Sequence, residues 1–278
     1  MKLEKIWAVY FSGTGTTRRT VESIAGGIAS RLNLPAESVD FSRPAVRQET
    51  LCFGEKDLVV FGTPVYAGRV PNVLLPFLRE RIVGGGALAV PVVLFGNRNY
   101  DDALIELRNI LAADGMHPIA AGAFVGEHSF SRVLGADRPN AEDEALMDEF
   151  AARVAALAAG LDAAPVKSVA VRGQEPLRPY YTPRDRAGNP INILKVKPKT
   201  DLSRCGGCGL CADLCPMGSI DPADVSAVRG ICIKCCACVK GCPTGAKFFD
   251  DAGYLYHQHE LEAQYARPAE NEVFYIQL

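Results

Sequence analysis

The sequence predicts an α/β protein whose parallel sheet carries helices on both faces, followed by a small α+β module rich in cysteine. Within the first 161 residues, short apolar runs alternate with amphipathic stretches, which is typical of strands and helices that follow one another. Nine of the ten cysteines lie between residues 200 and 250. The chain has 278 residues, 48% of them hydrophobic, which is enough for two domains with a sizeable core.

Composition divides the chain into four segments. We expect a first domain over residues 1–161, a proline-rich basic linker over 162–199, the cysteine module over 200–250 and an acidic tail over 251–278. The net charge of −2 argues against a general nucleic-acid binder. No apolar run reaches the roughly 18 residues of a membrane span. Reduced thiols without a secretory signal favour a cytoplasmic location.

The first domain contains five predicted strands and four predicted helices. The strands are residues 6–11, 39–41, 57–63, 89–95 and 119–125. The helices are residues 18–32, 71–83, 100–114 and 142–161. Pro91 is unusual within a central strand because it lacks a backbone N–H, so the boundary there is open.

The turn after the first strand predicts an anion site. Residues 12–17 read Ser-Gly-Thr-Gly-Thr-Thr between a strand and a helix, where free N–H groups and the helix dipole attract negative charge. A P-loop would need a lysine, which the turn lacks, and a dinucleotide fingerprint would need glycine where Arg18 stands. Asp40 lies at a plausible distance for a ribose contact, but this signal is weak. The remaining possibility is a single phosphate held by hydroxyls and backbone N–H groups.

This turn resembles the T-x-T-G-x-T phosphate loop of flavodoxins, with Ser12 in place of the first threonine. The resemblance implies a doubly wound flavodoxin-like domain with strand order 2-1-3-4-5 and bound FMN. It also implies that loops after the third and fourth strands flank the flavin ring, with Tyr66 and Tyr100 able to stack on it. The implied FMN-binding residues are Ser12, Gly13, Thr14, Gly15, Thr16, Thr17, Thr63, Pro64, Val65, Tyr66, Ala67, Gly68, Gly96, Asn97, Arg98, Asn99, Tyr100 and Asp101.

The cysteine module contains one pattern twice, C-x2-C-x2-C-x3-C-P, at an offset of 27 residues from Cys205 to Cys232. This run is the ligand signature of bacterial two-cluster ferredoxins. The resemblance implies two [4Fe–4S] clusters with crossed ligation, because the fourth cysteine of each run serves the other cluster. The implied ligand sets are Cys205, Cys208, Cys211 with Cys242, and Cys232, Cys235, Cys238 with Cys215.

Structural zinc is the alternative interpretation of these cysteines. Zinc sites usually combine two CxxC pairs across a longer gap, and two compact triplets each followed by Cys-Pro fit that pattern poorly. Cys52 and Cys236 lie outside the repeat, and we expect both to be packing thiols.

The remaining segments give weaker signals. In the linker, residues 167–171 and 191–196 are predicted short strands, and Tyr180 and Tyr181 are predicted to pack between the domains. In the tail, we predict a helix over residues 257–265 and an apolar end, 273–278, that docks on the core. His128 precedes the last helix of the first domain, where a surface role is more common than a catalytic one.

The whole chain resembles a flavodoxin–ferredoxin fusion. This resemblance implies an electron carrier that moves electrons between FMN and two [4Fe–4S] clusters on behalf of partner redox proteins of unknown identity. One alternative is a flavoenzyme that reduces a small substrate such as a quinone at the FMN. Another is a non-redox module with structural metal. The sequence identifies no catalytic residues, and transfer within one chain or across a homodimer are both open.

Overall fold

The computed structural model describes residues 1–277, which form eleven strands and seven α-helices. The strands are β1 (Lys5–Tyr10), β2 (Ala36–Asp40), β3 (Leu51–Cys52), β4 (Asp57–Pro64), β5 (Ile82–Val83), β6 (Leu88–Phe95), β7 (His117–Pro118), β8 (Ala120–Val125), β9 (Lys199–Thr200), β10 (Lys247–Phe248) and β11 (Glu272–Tyr275). The α-helices are α1 (Thr16–Leu32), α2 (Leu75–Glu80), α3 (Ala103–Ala113), α4 (Ala141–Ala159), α5 (Leu210–Asp213), α6 (Ala237–Lys240) and α7 (Ala252–Gln264).

The central sheet follows the order β11-β8-β6-β4-β1-β2, and the short strand β7 also pairs with β6. The pairs from β2 to β8 are all parallel. The five predicted strands correspond to β1, β2, β4, β6 and β8, so the predicted order 2-1-3-4-5 is confirmed. In such a sheet, ligands bind at the carboxyl ends of the strands where the order reverses, which here is between β1 and β4.

Two apolar layers hold the sheet. On one face, α1 and α4 pack through residues such as Ile24, Ile28 and Phe150, which are fully buried. On the other face, α2 and α3 pack through Leu78 and Leu107. Each such side chain contributes about 1.5–3 kcal/mol by leaving water. Because β4 and β6 are covered on both faces, they read as continuous apolar runs in the sequence.

Pro91 lies inside β6, opposite Phe61 of β4. On its other side, β6 pairs with β7 as far as Ala89 and resumes with β8 at Val92. The ladder is therefore interrupted where Pro91 stands, which is how a central strand accommodates a residue without a backbone N–H.

Several local predictions differ from the structure. The helix predicted over 71–83 is a 3₁₀ turn, Asn72–Leu74, followed by the short α2 and then β5. The two strands predicted in the linker are wrong, because within the described chain residues 162–198 hold only the isolated bridge between Arg184 and Pro190. Cys236 is buried as predicted, whereas Cys52 is exposed at β3, so the prediction of a packing thiol there is wrong.

The linker lies on the surface of the first domain. Val169 is buried, and its backbone N–H donates to the carbonyl oxygen of Pro118 at 2.8 Å. The Tyr180 hydroxyl donates to the carbonyl oxygen of Val70 at 2.8 Å. Tyr181 stacks on His257 of the tail helix, with ring centroids 6.1 Å apart. Tyr180 thus packs on the first domain, and Tyr181 joins the linker to the tail. The predicted position of both tyrosines between the two domains stays a prediction.

The acidic tail returns to the first domain. The predicted helix is α7, which begins earlier than predicted, at Ala252. The predicted docking of the apolar end is confirmed, because β11 pairs antiparallel with β8, placing Glu272 opposite Ala123 and Tyr275 opposite Ala120. Leu278, the last residue of that predicted segment, lies outside the described residues. The added strand covers an edge of the sheet that would otherwise present unpaired backbone groups.

The cysteine module is small and has little regular structure. Its two ends pair as an antiparallel ladder between β9 and β10. The helical turn α5 contains one cysteine of the first run, and α6 contains one cysteine of the second run. A separate apolar cluster joins the module to the tail through Ile193, Cys236, Phe249 and Tyr254. None of the helices in residues 1–277 has the length and apolarity required for a membrane span.

Asp102 holds the linker in place, and its removal should loosen that segment. Its buried carboxylate accepts hydrogen bonds from the backbone N–H groups of Gln174 and Arg178 and pairs with the Arg178 guanidinium. Hydrogen bonds to charged groups are worth about 1.5–3 kcal/mol, so Asp102→Asn should lower the free energy of unfolding by about that amount. Thermal unfolding and limited proteolysis within residues 162–199 measure the effect.

Asp148→Asn is the matched control. Asp148 pairs with Arg31 at 2.8 Å on the surface, where the Asp148 side chain is 66% exposed and the Arg31 side chain 35%. Exposed pairs contribute about 0–1 kcal/mol. Equal losses in the two variants would contradict the clamping role of Asp102.

Candidate functional site

A cleft opens at the carboxyl ends of β1, β4, β6 and β8. The cleft is lined by Gly13, Thr14, Thr16, Thr17, Pro64, Val65, Tyr66, Leu94, Phe95, Gly96, Gly126, Glu127, His128, Ser129 and Cys235. The topology thus brings the first predicted loop, part of the second and the start of the third to one place.

The first loop presents free donors to this cleft. Helix α1 has no side-chain cap, and Gly15 precedes it with φ of 90°. Among residues 1–277, no protein acceptor takes a hydrogen bond from the backbone N–H groups of residues 13–17. The Ser12 hydroxyl accepts from the Arg18 N–H at 3.1 Å, which shapes the loop and leaves Thr14, Thr16 and Thr17 at the cleft. Unpaired N–H groups at a helix N-terminus favour an anionic group such as a phosphate.

The second loop is a tight hairpin. Tyr66 and Arg69 exchange backbone hydrogen bonds of 2.9 and 3.1 Å, and Ala67 and Gly68 occupy the turn with positive φ. A Cβ on Gly68 would lie 2.3 Å from a carboxylate oxygen of Asp101, so glycine is required there. Of the predicted residues, Pro64, Val65 and Tyr66 line the cleft, Thr63 is buried beneath it, and the turn itself lies outside the lining.

The third loop differs from the prediction. Only Gly96 of its predicted residues lines the cleft. Tyr100 is fully buried against Phe95 and donates its hydroxyl proton to Glu272 at 2.8 Å. A side chain with no exposed surface cannot stack on a ligand in the cleft, so the predicted stacking of Tyr100 is wrong.

The other residues of this loop hold the linker and the tail. The Asn97 amide donates to the carbonyl oxygens of Tyr265 and Arg267, at 2.6 and 3.0 Å. Arg98 pairs with Asp101 and lies 4.7 Å from the centre of the Tyr181 ring. Asn99 accepts a bond from the Asp101 N–H at 2.8 Å. Asn97, Arg98, Asn99 and Asp101 therefore lie away from the cleft lining.

The sequence analysis assigned no binding residue to the segment after β8 and expected a surface role for His128. Gly126, Glu127, His128 and Ser129 line the cleft because β8 ends at the same sheet edge as β4 and β6. The topological rule for parallel sheets would have included them, since every strand end along that edge contributes a loop. Cys235 had no such signal, because its place at the cleft depends on how the cysteine module packs.

His128 is held neutral in this cleft. Burial, with smaller contributions from Lys240, His257 and Arg98, lowers its pKa to about 3. Its Nδ1 accepts a hydrogen bond from the Phe130 N–H at 3.1 Å, so the ring proton is on Nε2. At neutral pH the imidazole is uncharged and does not act as a strong proton donor.

Two cavities gather the cysteines in two mixed sets. One cavity, of about 370 Å³, is lined by Cys232, Cys235 and Cys238 together with Cys215 of the other run. The second, of about 610 Å³, is lined by Cys205, Cys208 and Cys211 together with Cys242. These are the two sets that crossed ligation implies. We call them the inner set (with Cys235) and the outer set (with Cys208), since Cys235 is buried and Cys208 exposed.

The thiols surround volumes and do not converge on single points. Within residues 1–277, no group of three or more His, Cys, Asp or Glu side chains is arranged to hold one metal ion. Burial raises the pKa of Cys235 to about 12 as a free thiol. A ligand carrying metal cations would offset that effect, because a coordinating thiol is deprotonated. The donor chemistry, four thiols around each cavity, fits a multi-iron group.

The two halves meet at the first loop. A Cβ built on Gly13 would lie 3.1 Å from Cβ and 3.6 Å from Sγ of Cys235, and 3.6 Å from the Tyr66 hydroxyl. Burial, and then negative charge on Cys235, Cys236 and Cys232, raises the pKa of Tyr66 well above its ordinary value. Cys235 therefore lines both the cleft and the inner cysteine cavity.

Two cations fasten this contact. Arg47 donates to the carbonyl oxygens of Phe41, Ser42 and Pro216, the last at 2.5 Å and directly after Cys215. Lys240 donates to the carbonyl oxygen of His128 at 2.7 Å and pairs with Glu127. Each cation joins a cysteine run to a segment beside the cleft.

Comparison with known proteins identifies part of the cysteine module. Residues 198–221, which contain the first cysteine run, match the family model of the 4Fe-4S binding domain. No curated protein matches the chain.

Solved structures similar to this chain cover its first domain. A flavodoxin from the domain Archaea is 17% identical over 55% of this chain and 97% of its own length, with a TM-score of 0.41. A Fusobacterium nucleatum flavodoxin variant bound to flavin mononucleotide is 14% identical over 55% and 95%, with a TM-score of 0.36. Rubredoxin oxygen:oxidoreductase from Desulfovibrio gigas is 16% identical over 58% of this chain and 38% of its own, with a TM-score of 0.36.

Because these identities and TM-scores are low, the flavodoxin-like character of the first domain rests on its strand order, 2-1-3-4-5. The predicted resemblance to a flavodoxin–ferredoxin fusion is confirmed by that order together with the matched 4Fe-4S segment. The chain joins a flavodoxin-like α/β domain to an iron–sulfur module of the 4Fe-4S binding type.

Proposed function

We propose that the protein is an electron carrier that moves electrons between FMN and two [4Fe–4S] clusters within one chain, on behalf of partner redox proteins. The observation that carries this proposal is the position of Cys235, which lines both the cleft and the inner cysteine cavity. A cofactor in the cleft and a cluster on the inner set would be separated by little more than this side chain. No homodimer is required for them to be neighbours.

The cleft residues fit FMN. The free N–H groups of residues 13–17, with the hydroxyls of Thr14, Thr16 and Thr17, suit a phosphate dianion without any lysine. Tyr66 supplies an aromatic ring at the cleft for a flat ligand, and Phe95 is a second ring in its lining. When bound, FMN exchanges one or two electrons and each cluster exchanges one, and the chain holds them close and excludes water.

The outer set faces the solvent and is the proposed contact point for partners. Cys208 is exposed, and Leu202 and Leu210 beside it are 69% and 38% exposed. The inner set, in contrast, contains no exposed cysteine: Cys235 is buried, and Cys215, Cys232 and Cys238 are of intermediate exposure. Linking the sites in one chain makes exchange between them intramolecular, so it does not depend on protein concentration.

A flavoenzyme that reduces a small substrate is less well supported. That hypothesis expects space above the flavin near a proton-donating group such as His128. His128 lines the same cleft that the flavin would occupy, and it is neutral because burial lowers its pKa to about 3. The carrier function therefore agrees better with the cleft.

Replacing cleft threonines should weaken FMN binding. We expect Thr14→Val and Thr17→Val each to raise the dissociation constant for FMN about ten- to hundredfold, because each removes a hydrogen bond to a charged group. Fluorescence titration of flavin-free protein measures this affinity.

Thr20→Val is the matched control on the same helix. The Thr20 hydroxyl is buried without a hydrogen-bond partner in the described chain, so a methyl group can replace it at little cost. FMN affinity that stays unchanged in all three variants would show that the loop assignment is wrong.

Crossed ligation predicts that the last cysteine of each run affects the cluster held mainly by the other run. Cys242→Ala should disturb the same cluster signal as Cys208→Ala, and Cys215→Ala the same signal as Cys235→Ala. Iron content should fall from about eight atoms per chain towards four in each variant. Electron paramagnetic resonance of anaerobically prepared protein separates the two signals. If Cys242→Ala and Cys235→Ala disturb one common signal, ligation is not crossed.

Exchange between flavin and clusters should be unimolecular. After partial rapid reduction, the rate at which flavin and cluster absorbances re-equilibrate should stay constant over a hundredfold range of protein concentration. Stopped-flow spectroscopy follows both chromophores. A rate proportional to protein concentration would place the exchange between molecules and contradict the proposal.

A further inference from the structure

The two cysteine sets differ at one buried position that the repeat makes directly comparable. When the two copies of the repeat are aligned at their offset of 27 residues, Ile220 corresponds to Lys247. Ile220 lines the inner cavity and is 4% exposed, while Lys247 lines the outer cavity and is 2% exposed. An apolar side chain beside one set is therefore matched by an ammonium beside the other. The inner set has a lysine of its own, Lys234, which is only partly buried and donates to the carbonyl oxygen of Cys232 at 2.9 Å, whereas Lys247 is 2% exposed.

The hydrogen bonds to the terminal cysteines are similar in the two sets. The Ser219 N–H donates to Sγ of Cys215 at 3.3 Å, and the Ala246 N–H donates to Sγ of Cys242 at 3.2 Å. Hydrogen bonds to the terminal sulfur thus match between the sets. Hydrogen bonds to the cluster sulfurs, net charge and solvent exposure together set cluster potentials. Because these hydrogen bonds match between the two sets, the difference in buried charge is more important.

Lys247 has no carboxylate partner in the described part of the chain. Its ammonium donates to the carbonyl oxygen of Val225, another residue lining the outer cavity, and no carboxylate of residues 1–277 lies within 4.0 Å. A buried ammonium without a counter-charge is costly. Four thiolates give a [4Fe–4S] cluster a net negative charge, so the cluster would be the counter-charge.

Lys247 lines the same cavity as the outer thiols and is 2% exposed, so its charge is buried beside them. Inside a protein such a charge acts more strongly than in water, because the surroundings screen it less. Reduction adds negative charge to a cluster, so a neighbouring cation stabilises the reduced form.

We propose that Lys247 is a tuning residue whose buried charge raises the reduction potential of the outer cluster above that of the inner cluster. An electron shared by the two clusters then resides mainly on the outer one, at the exposed end of the module and away from the cleft. This inference rests on the proposed binding of two clusters and adds an order of potentials to it.

The test is a redox titration of the full-length protein, prepared anaerobically and followed by electron paramagnetic resonance. Cys208→Ser, at the exposed ligand of the outer set, identifies which signal belongs to the outer cluster. In Lys247→Met we expect the equilibrium constant for reducing the outer cluster to fall at least about tenfold, or about 59 mV, with the inner cluster unchanged. Lys247→Arg keeps the charge and should stay near the original value.

Lys199→Met is the matched control. Lys199 lies on the same two-stranded ladder, opposite Phe248, but its side chain is 63% exposed and paired with Asp250 at 2.7 Å. It should shift neither potential, because water screens an exposed charge. An unchanged outer potential in Lys247→Met, or an equal shift of both clusters, would overturn the proposal.

Two further outcomes are informative. If Lys247→Met does not accumulate as folded protein, the order of potentials in the unmodified protein decides, and an outer cluster that is reduced after the inner one overturns the proposal. A preparation with far fewer than about eight irons would instead refute the two-cluster function itself. The failure of the tuning role and the failure of the function are thus distinguishable.

Discussion

The close approach of Cys235 to the loop at Gly13 is the contact on which the arrangement of the two halves depends. A side chain at residue 13 would place a Cβ 3.1 Å from Cβ of Cys235, tighter than most such contacts, so Cys235 would have to shift by a few tenths of an ångström. Glycine therefore favours this close packing between domains. Arg47 and Lys240 reinforce the same contact with charge-assisted hydrogen bonds to backbone carbonyls on its two sides. These bonds fix the relative position of the cleft and the inner cysteine set.

The linker and tail act as parts of the first domain and not as free connections. Asp102 holds the linker, β11 adds a strand to the sheet, and α7 packs on the cysteine module through Tyr254. The loop after β6 provides many of these contacts, through Asn97 and Tyr100. This explains why that loop contributes little to the cleft lining, although its position in the sheet suggested a ligand-binding role.

Local patterns were sufficient to predict the strand order, three of the four helices of the first domain, the anion loop and both mixed cysteine sets. Each depends on spacing within a short segment, as in the repeat that begins at Cys205, or on the general rule for parallel sheets. The placement of Tyr100 and Cys235 was not predictable in this way. Tyr100 is buried and donates its hydroxyl proton to Glu272, which lies 172 residues further along the chain. Cys235 reaches the cleft only through packing between the domains. Contacts between such distant segments leave no periodic signal in the sequence.

The internal repeat explains how a nearly symmetric module can carry a directional function. Two equal sites would divide an electron evenly, and only the position of the cleft would distinguish the two ends. Here the module is asymmetric in three respects that agree in direction. Cys235 is buried at the cleft, Cys208 is exposed at the far set, and Lys247 replaces the apolar Ile220 beside that far set. Burial, exposure and charge are the properties that set cluster potentials, so if both sets hold clusters as proposed, their common direction would favour electron residence at the outer end.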